Sequence, residues 1–128
     1  MKLWDFKDGS RNEILEWARH LSPRDRAALN QKLDLLERLD FTQAIGLKLL
    51  ARPESKSQHI LKLRVMCDTA MRPLLCRGPQ FPLREYTLLK GASERDSRLH
   101  PPGVVETASR HRGLVENDET KRIGHERP

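Results

Sequence analysis

The sequence has few aromatic residues, only two cysteines and no long apolar run. Phe, Trp and Tyr together make up 5% of the 128 residues, and Cys67 and Cys76 are too few for a disulfide framework or a zinc ligand set. No apolar stretch approaches the roughly 18 residues of a membrane span, which excludes a transmembrane protein. Residues 1–5 already include the acidic Asp5 and lack the apolar core of a signal peptide. These absences predict a cytoplasmic protein that makes no contact with a membrane.

The apolar content is nevertheless sufficient for a folded domain. Leu, Ile, Val and Phe make up about a quarter of the chain, above the roughly 20% that is typical of disordered sequences. A length of 128 residues fits one compact domain. We therefore assign residues 1–116 to a single domain. Residues 117–128 are charged almost throughout, and we expect them to form a frayed polar tail.

The net charge of +6 is concentrated in the middle of the chain. Residues 51–100 carry ten basic and five acidic side chains, whereas the segments before and after them are nearly balanced. A basic excess confined to one segment is typical of a protein that binds a polyanion such as a nucleic acid. Solubility alone also explains a modest excess, so charge by itself leaves both interpretations open.

Two consecutive helices are predicted near the N-terminus. Residues 10–13 read Ser-Arg-Asn-Glu, a capping-box pattern, and apolar residues at helical spacing follow. Ser22 and Pro23 then start a second helix, because proline is tolerated at the first helical position. The two segments predict a helical hairpin. A last helix is predicted from about Gly103 to Glu116, after a pair of prolines.

Alternation of apolar and polar residues predicts a small sheet. Its strands cover Lys2–Phe6, Ile60–Cys67, Met71–Arg77 and Phe81–Lys90. The last three follow one another through tight turns, so they form an antiparallel meander that the helices cover on one face. Residues 41–51 have no clear assignment. The predicted fold is α+β, with an N-terminal helical hairpin packed on a small antiparallel sheet and a C-terminal helix.

Three basic side chains are predicted to share one face of this sheet. Lys62 and Arg64 are two residues apart and therefore point the same way. If residues 67 and 71 pair across the turn, Arg72 joins them. Asp68 is the only acidic residue nearby in sequence, so the cluster lacks compensation, and a phosphate would supply it. The alternative is a solvated face whose charges are balanced by neighbouring carboxylates.

The segment after the meander adds further candidate residues. Arg95 leaves the sheet edge in a basic turn, where solvated charges are an equally good interpretation. His100 is a candidate proton donor or acceptor, since histidine titrates near neutral pH, and the alternative is an exposed loop histidine. No P-loop, Rossmann turn, HExxH helix or Ser/Cys–His pair is visible, so no cofactor or metal is predicted. The residues expected to contact RNA are Lys56, Arg84, Lys90 and Arg98.

The order and spacing of these segments resemble a known toxin family. The motifs that carry the resemblance are Leu61-Lys62-Leu63-Arg64-Val65, Met71-Arg72-Pro73-Leu74-Leu75, the run Tyr86-Thr87-Leu88-Leu89-Lys90-Gly91-Ala92-Ser93-Glu94-Arg95, and a helix with Pro101, Pro102, Ala108 and Arg112. Over roughly residues 10–116 they are similar to the RelE/ParE superfamily. The most similar branch is the phage-derived Gp49-like, HigB-type toxins.

The resemblance implies the toxin of a type II toxin–antitoxin system. Such a toxin is a ribosome-dependent endoribonuclease that cleaves mRNA without a metal, by attack of the 2′-hydroxyl on the adjacent phosphate. Catalytic roles are implied for Lys62, Arg64, Arg72 and Arg95, beside His100. The implied partners are the ribosome, its mRNA and a cognate helix-turn-helix (HigA-like) antitoxin bound in a hetero-oligomer. The alternative is a non-catalytic or gyrase-directed relative whose basic face only binds.

Overall fold

A computed structural model describes residues 1–53 and 57–128. Within them the chain is α+β, with four helices and ten strands. The helices are α1 (Glu13–Arg19), α2 (Pro23–Arg38), α3 (Phe41–Gly46) and α4 (Val104–Asn117). The strands are β1 (Lys2–Phe6), β2 (Leu50–Ala51), β3 (Leu61–Leu63), β4 (Val65–Met66), β5 (Ala70–Met71), β6 (Leu74–Arg77), β7 (Glu85–Lys90), β8 (Ser93–Arg95), β9 (Arg98–His100) and β10 (Arg122–Gly124).

The strands form two sheets rather than one small sheet. The larger has the order β10-β1-β7-β6-β3-β2, in which β1 and β7 are parallel and the other pairs antiparallel. The smaller has the order β4-β5-β8-β9. The two predicted strands 60–67 and 71–77 are each interrupted and contribute to both sheets. Pro73 lies at the second interruption, because it has no N–H to donate to a ladder.

Helices cover both faces of the larger sheet. Leu75 and Leu88 point into a core with α1, α2 and α3, whereas their neighbours Leu74 and Leu89 point into a second core with α4. This alternation follows from the two-residue period of a strand. The predicted N-terminal helical hairpin on a small antiparallel sheet is therefore wrong. The sheets dominate the structure, and α4 occupies the face that was expected to be open to solvent.

Side-chain caps set the starts of α1 and α2. Ser22 Oγ accepts a hydrogen bond from the amide of Asp25 at 3.1 Å, and α2 begins at Pro23 as the sequence predicts. The first helix instead begins after Asn12, whose Oδ1 accepts from the Leu15 amide at 3.0 Å. Three of the four residues of the expected capping box, residues 10–12, thus lie outside α1. None of the helices in the described residues is long and apolar enough to cross a bilayer.

The C-terminal segment belongs to the larger sheet rather than to a frayed tail. Strand β10 pairs antiparallel with β1. Arg122 is buried, and its guanidinium donates to both carboxylate oxygens of Glu85. Arg127 pairs with Asp34 of α2. Arg122 and Arg127 therefore have partners in the folded protein, so a charged composition did not indicate disorder here.

Candidate functional site

Lys62 and Arg72 converge, but on a carboxylate. Lys62 Nζ and Arg72 Nε each lie 3.2 Å from an oxygen of Glu94 on β8. The side chains of Lys62, Arg72 and Glu94 are 14%, 5% and 24% exposed. Burial alone would raise the pKa of Glu94, but the hydrogen bond and charge of Lys62 and the charge of Arg72 hold that pKa below its ordinary value. The prediction of a basic cluster without compensating acids is therefore wrong for Lys62 and Arg72.

Arg72 is also tied to the backbone. Its Nη1 donates to the carbonyl oxygens of Val65 and Met71, at 3.1 and 2.9 Å. A buried guanidinium with this many partners holds β4, β5 and β8 together, since each bond would be costly to lose without water to replace it. We therefore interpret Arg72 as a residue that positions the smaller sheet.

Arg64 does not join the other two. The hairpin pairs Val65 with Met71, a register shifted by two residues from the predicted pairing of 67 with 71. A shift of two preserves the face on which each side chain lies. Arg64 is exposed, and it has no ion-pair or side-chain hydrogen-bond partner in the described part of the chain.

The hairpin of β8 and β9 separates the predicted catalytic residues into two groups. Its register pairs Ser93 with His100 and Arg95 with Arg98, and Glu94 faces the other way. Arg95 and His100 line a groove of about 440 Å³, which we call the hairpin groove. Its walls are completed by Trp17, Gly91, Ala92, Ser93, Pro101 and Pro102. No carboxylate lines it among the described residues.

Trp17 reaches the hairpin groove because residue 91 is glycine. A Cβ at position 91 would lie 2.2 Å from the Trp17 ring, far inside any real contact. The indole therefore packs directly on the backbone where β7 leads to β8. Nothing in the sequence links Trp17 to Gly91.

Of the four residues expected to contact RNA, the three that the structure describes lie apart from one another. Lys90 pairs with Glu13 at 3.0 Å, and the hydrogen bond from Lys90 lowers the pKa of Glu13 despite partial burial. Arg84 is exposed in the loop before β7. Arg98 lines a separate pocket of about 230 Å³ with Lys62 and Glu94. Lys56 lies outside the described residues.

One acidic cluster has ligand atoms close enough for a metal ion. It consists of Asp25, Cys67 and Asp68, with ligand atoms within 4.8 Å of one another. The Asp25 carboxylate already accepts hydrogen bonds from the Asp68 amide and from the Thr69 amide and hydroxyl, at 2.9 to 3.3 Å. These bonds fasten the β4–β5 turn to α2, which explains the buried charge without a metal.

Cys76 is buried, and burial raises its pKa to about 12.

Comparison of this chain with protein-family models, curated proteins and solved structures found no match. The candidate site therefore rests on the geometry of this chain.

Sequence reasoning missed Glu94 as the partner of the basic cluster. The prediction takes only acids close in sequence as compensating charges, whereas Glu94 is 22 residues beyond Arg72 and 32 beyond Lys62. The sequence signal for the hairpin that carries Glu94 lies in the polar segment 91–100. Asp96 and Ser97 are residue types that favour a turn, and both have positive φ between β8 and β9.

Proposed function

We propose that the protein is a metal-independent endoribonuclease that acts on mRNA as the toxin of a toxin–antitoxin pair in the cytoplasm. The observation that supports it best is the hairpin groove, where Arg95 and His100 lie together without a carboxylate among the lining residues. A cation and a proton acceptor are the two groups that cleavage by a 2′-hydroxyl requires. The resemblance of the sequence to the RelE/ParE superfamily points to the same chemistry.

The two side chains have distinct roles in this proposal. His100 takes the proton of the 2′-hydroxyl as its oxygen attacks the adjacent phosphorus. The P–O5′ bond breaks, a 2′,3′-cyclic phosphate forms, and the leaving O5′ takes a proton from solvent, to which the groove is open. Arg95 stabilises the negative charge that develops on the phosphoryl oxygens. The exposed part of the Trp17 ring offers a surface against which a base can pack.

The ion pairs of Glu94 lie on the opposite face of β8 from the hairpin groove and hold that strand in place. Lys62 and Arg72 hold Glu94, and Glu94 precedes Arg95 in β8. We therefore assign Lys62 and Arg72 as positioning residues, and the exposed Arg64 as a contact for the RNA backbone. The partners in this proposal remain the translating ribosome with its mRNA, and a helix-turn-helix antitoxin in a hetero-oligomer.

The test is mapping of mRNA 5′ ends after induction in a susceptible host. The wild type should create new ends within translated messages and arrest growth. Arg95→Gln and His100→Gln should each reduce cleavage by about a hundredfold or more, since one preorganised contact to the transition state is worth roughly 3 kcal/mol. Arg38→Gln, an exposed position on α2, removes the same charge and should leave cleavage intact.

Two outcomes would contradict the proposal. Full cleavage by both groove variants, with folding checked by circular dichroism, would place the chemistry elsewhere. Salt-sensitive RNA binding by the purified chain without any new mRNA ends would instead favour the non-catalytic alternative, a protein whose basic surface only binds.

A further inference from the structure

A second basic cavity lies at the opposite end of β7 from the hairpin groove. Its volume is about 250 Å³, and we call it the arginine pocket. Arg77 at the end of β6 pairs with Tyr86 near the start of β7, whereas the groove follows the end of that strand. The lining residues are Phe41, Ile45, Arg52, Gln58, His59, Leu61, Arg77 and Arg112. They come from α3, the β2–β3 connection, β3, β6 and α4.

The lining contains cations and no anion among the described residues. Arg52, Arg77 and Arg112 contribute three permanent positive charges, and His59 adds a basic ring. Three guanidinium groups around one small cavity repel one another, although solvent screens the exposed Arg52 and Glu116 partly compensates Arg112. This repulsion raises the free energy of the empty pocket, and an anion bound in the cavity would lower that free energy.

Two of these arginines each have a side-chain N–H group without a hydrogen-bond acceptor in the described residues. The Nε atoms of Arg77 and Arg112 are buried and have no hydrogen-bond partner in the described part of the chain. Arg77 is held in place by Phe41, with its Cζ 4.0 Å from the ring centroid, so its N–H groups are fixed in direction. Arg112 donates through Nη1 to Glu116 at 3.0 Å. A rigid fork of N–H donors matches the oxygens of a phosphate.

We propose that the arginine pocket binds a phosphate monoester dianion. The volume is below the roughly 300 Å³ at which pockets for drug-sized ligands begin, so the group that enters is small. Phe41, Ile45 and Leu61 provide an apolar wall for whatever the phosphate is attached to. A free nucleotide and the 5′ end of an RNA both carry this group. The site is separate from the hairpin groove and does not depend on the chemistry proposed there.

The experiment is titration of the ¹⁵N-labelled full chain with inorganic phosphate, with chloride adjusted to keep the ionic strength constant. The Nε–H resonances of Arg77 and Arg112 should shift and saturate. Arg112→Gln should weaken binding about tenfold or more, as expected for the loss of one charge-assisted hydrogen bond. Glu116→Gln should tighten binding, because it releases Nη1 of Arg112. Arg110→Gln, exposed on the same helix, is the matched control and should change little.

Further arms of the titration identify the source of the phosphate. Adenosine monophosphate is compared with a short RNA that carries either a 5′ phosphate or a 5′ hydroxyl. Tighter binding of the 5′-phosphorylated RNA than of the nucleotide would assign the pocket to RNA ends, and the reverse order to free nucleotides. The proposal is overturned if no resonance saturates, or if Arg110→Gln weakens binding as much as Arg112→Gln. Arg95→Gln should retain phosphate binding whether or not it abolishes cleavage.

Discussion

Replacing Glu94 with glutamine should destabilise the protein in a way that depends on pH. Glutamine has nearly the same shape, so the substitution removes charge with little change in packing. It leaves Lys62 and the buried Arg72 without their shared counter-ion. Removing one partner of a fully buried ion pair costs about 3–5 kcal/mol. Glu94 is 24% exposed, and the amide oxygen of glutamine still accepts one hydrogen bond, so we expect about 2 kcal/mol at neutral pH.

The assay is thermal unfolding followed by circular dichroism. For a chain of this length 1 kcal/mol corresponds to roughly 4 °C, so Glu94→Gln should unfold about 8 °C below the wild type. The pKa of Glu94 is lowered in the folded protein, so its contribution to the free energy of unfolding is complete above the ordinary carboxyl pKa. That contribution is lost as pH falls through the lowered pKa. The two melting curves should therefore converge in acid.

Glu106→Gln is the matched control, because Glu106 lines the same pocket as Glu94 but is exposed and has no ion-pair partner in the described part of the chain. The melting temperature of Glu106→Gln should equal that of the wild type at every pH. An ion-pair role for Glu94 fails if Glu94→Gln melts within a degree or two of the wild type at neutral pH. It also fails if the gap stays the same in acid, since the effect would then come from packing rather than charge.

Two further predictions concern buried positions. Gly91→Ala forces a methyl group into the Trp17 ring, and overpacking of this kind costs about 1–3 kcal/mol or more. We expect a lower melting temperature and a shifted tryptophan emission maximum, and unchanged emission would contradict the direct packing. Cys76 is buried with its pKa raised to about 12, so a thiol reagent should modify the half-buried Cys67 first and Cys76 only on unfolding. Equal rates in the native state would refute that burial.

The helix starts show what local sequence can predict and what it cannot. The Ser22-Pro23 start of α2 is correct because a cap and its proline act within one turn. The start of α1 moved to Asn12 because Asp8 and Arg11 pair with each other and keep the preceding residues out of the helix. The capping-box pattern predicts Ser10 as the cap, and the turn before α1 places the cap two residues later, at Asn12.

The sheet was underestimated because its partners are distant in sequence. The pairing of β1 with β7 joins Leu3 to Tyr86, and β10 joins β1 from the other terminus. Periodicity identifies a strand but carries no information on which strand lies beside it. Short strands such as β8 and β9 also lack the apolar residues on which period-based prediction depends, so the segment that carries Arg95 and His100 was predicted as a turn.

The position of β1 in the larger sheet constrains the order in which the protein can fold during synthesis. This strand leaves the ribosome before β7 and β10, which are its sheet partners in the described residues, so it must stay unpaired until β7, more than 80 residues further along the chain, has been made. Contacts of such long sequence separation form slowly. A chain that ends before residue 122 would leave one edge of β1 bare and Glu85 without its arginine. A bare strand edge is a template for pairing with another chain, so such a truncated product should aggregate rather than remain a smaller folded domain.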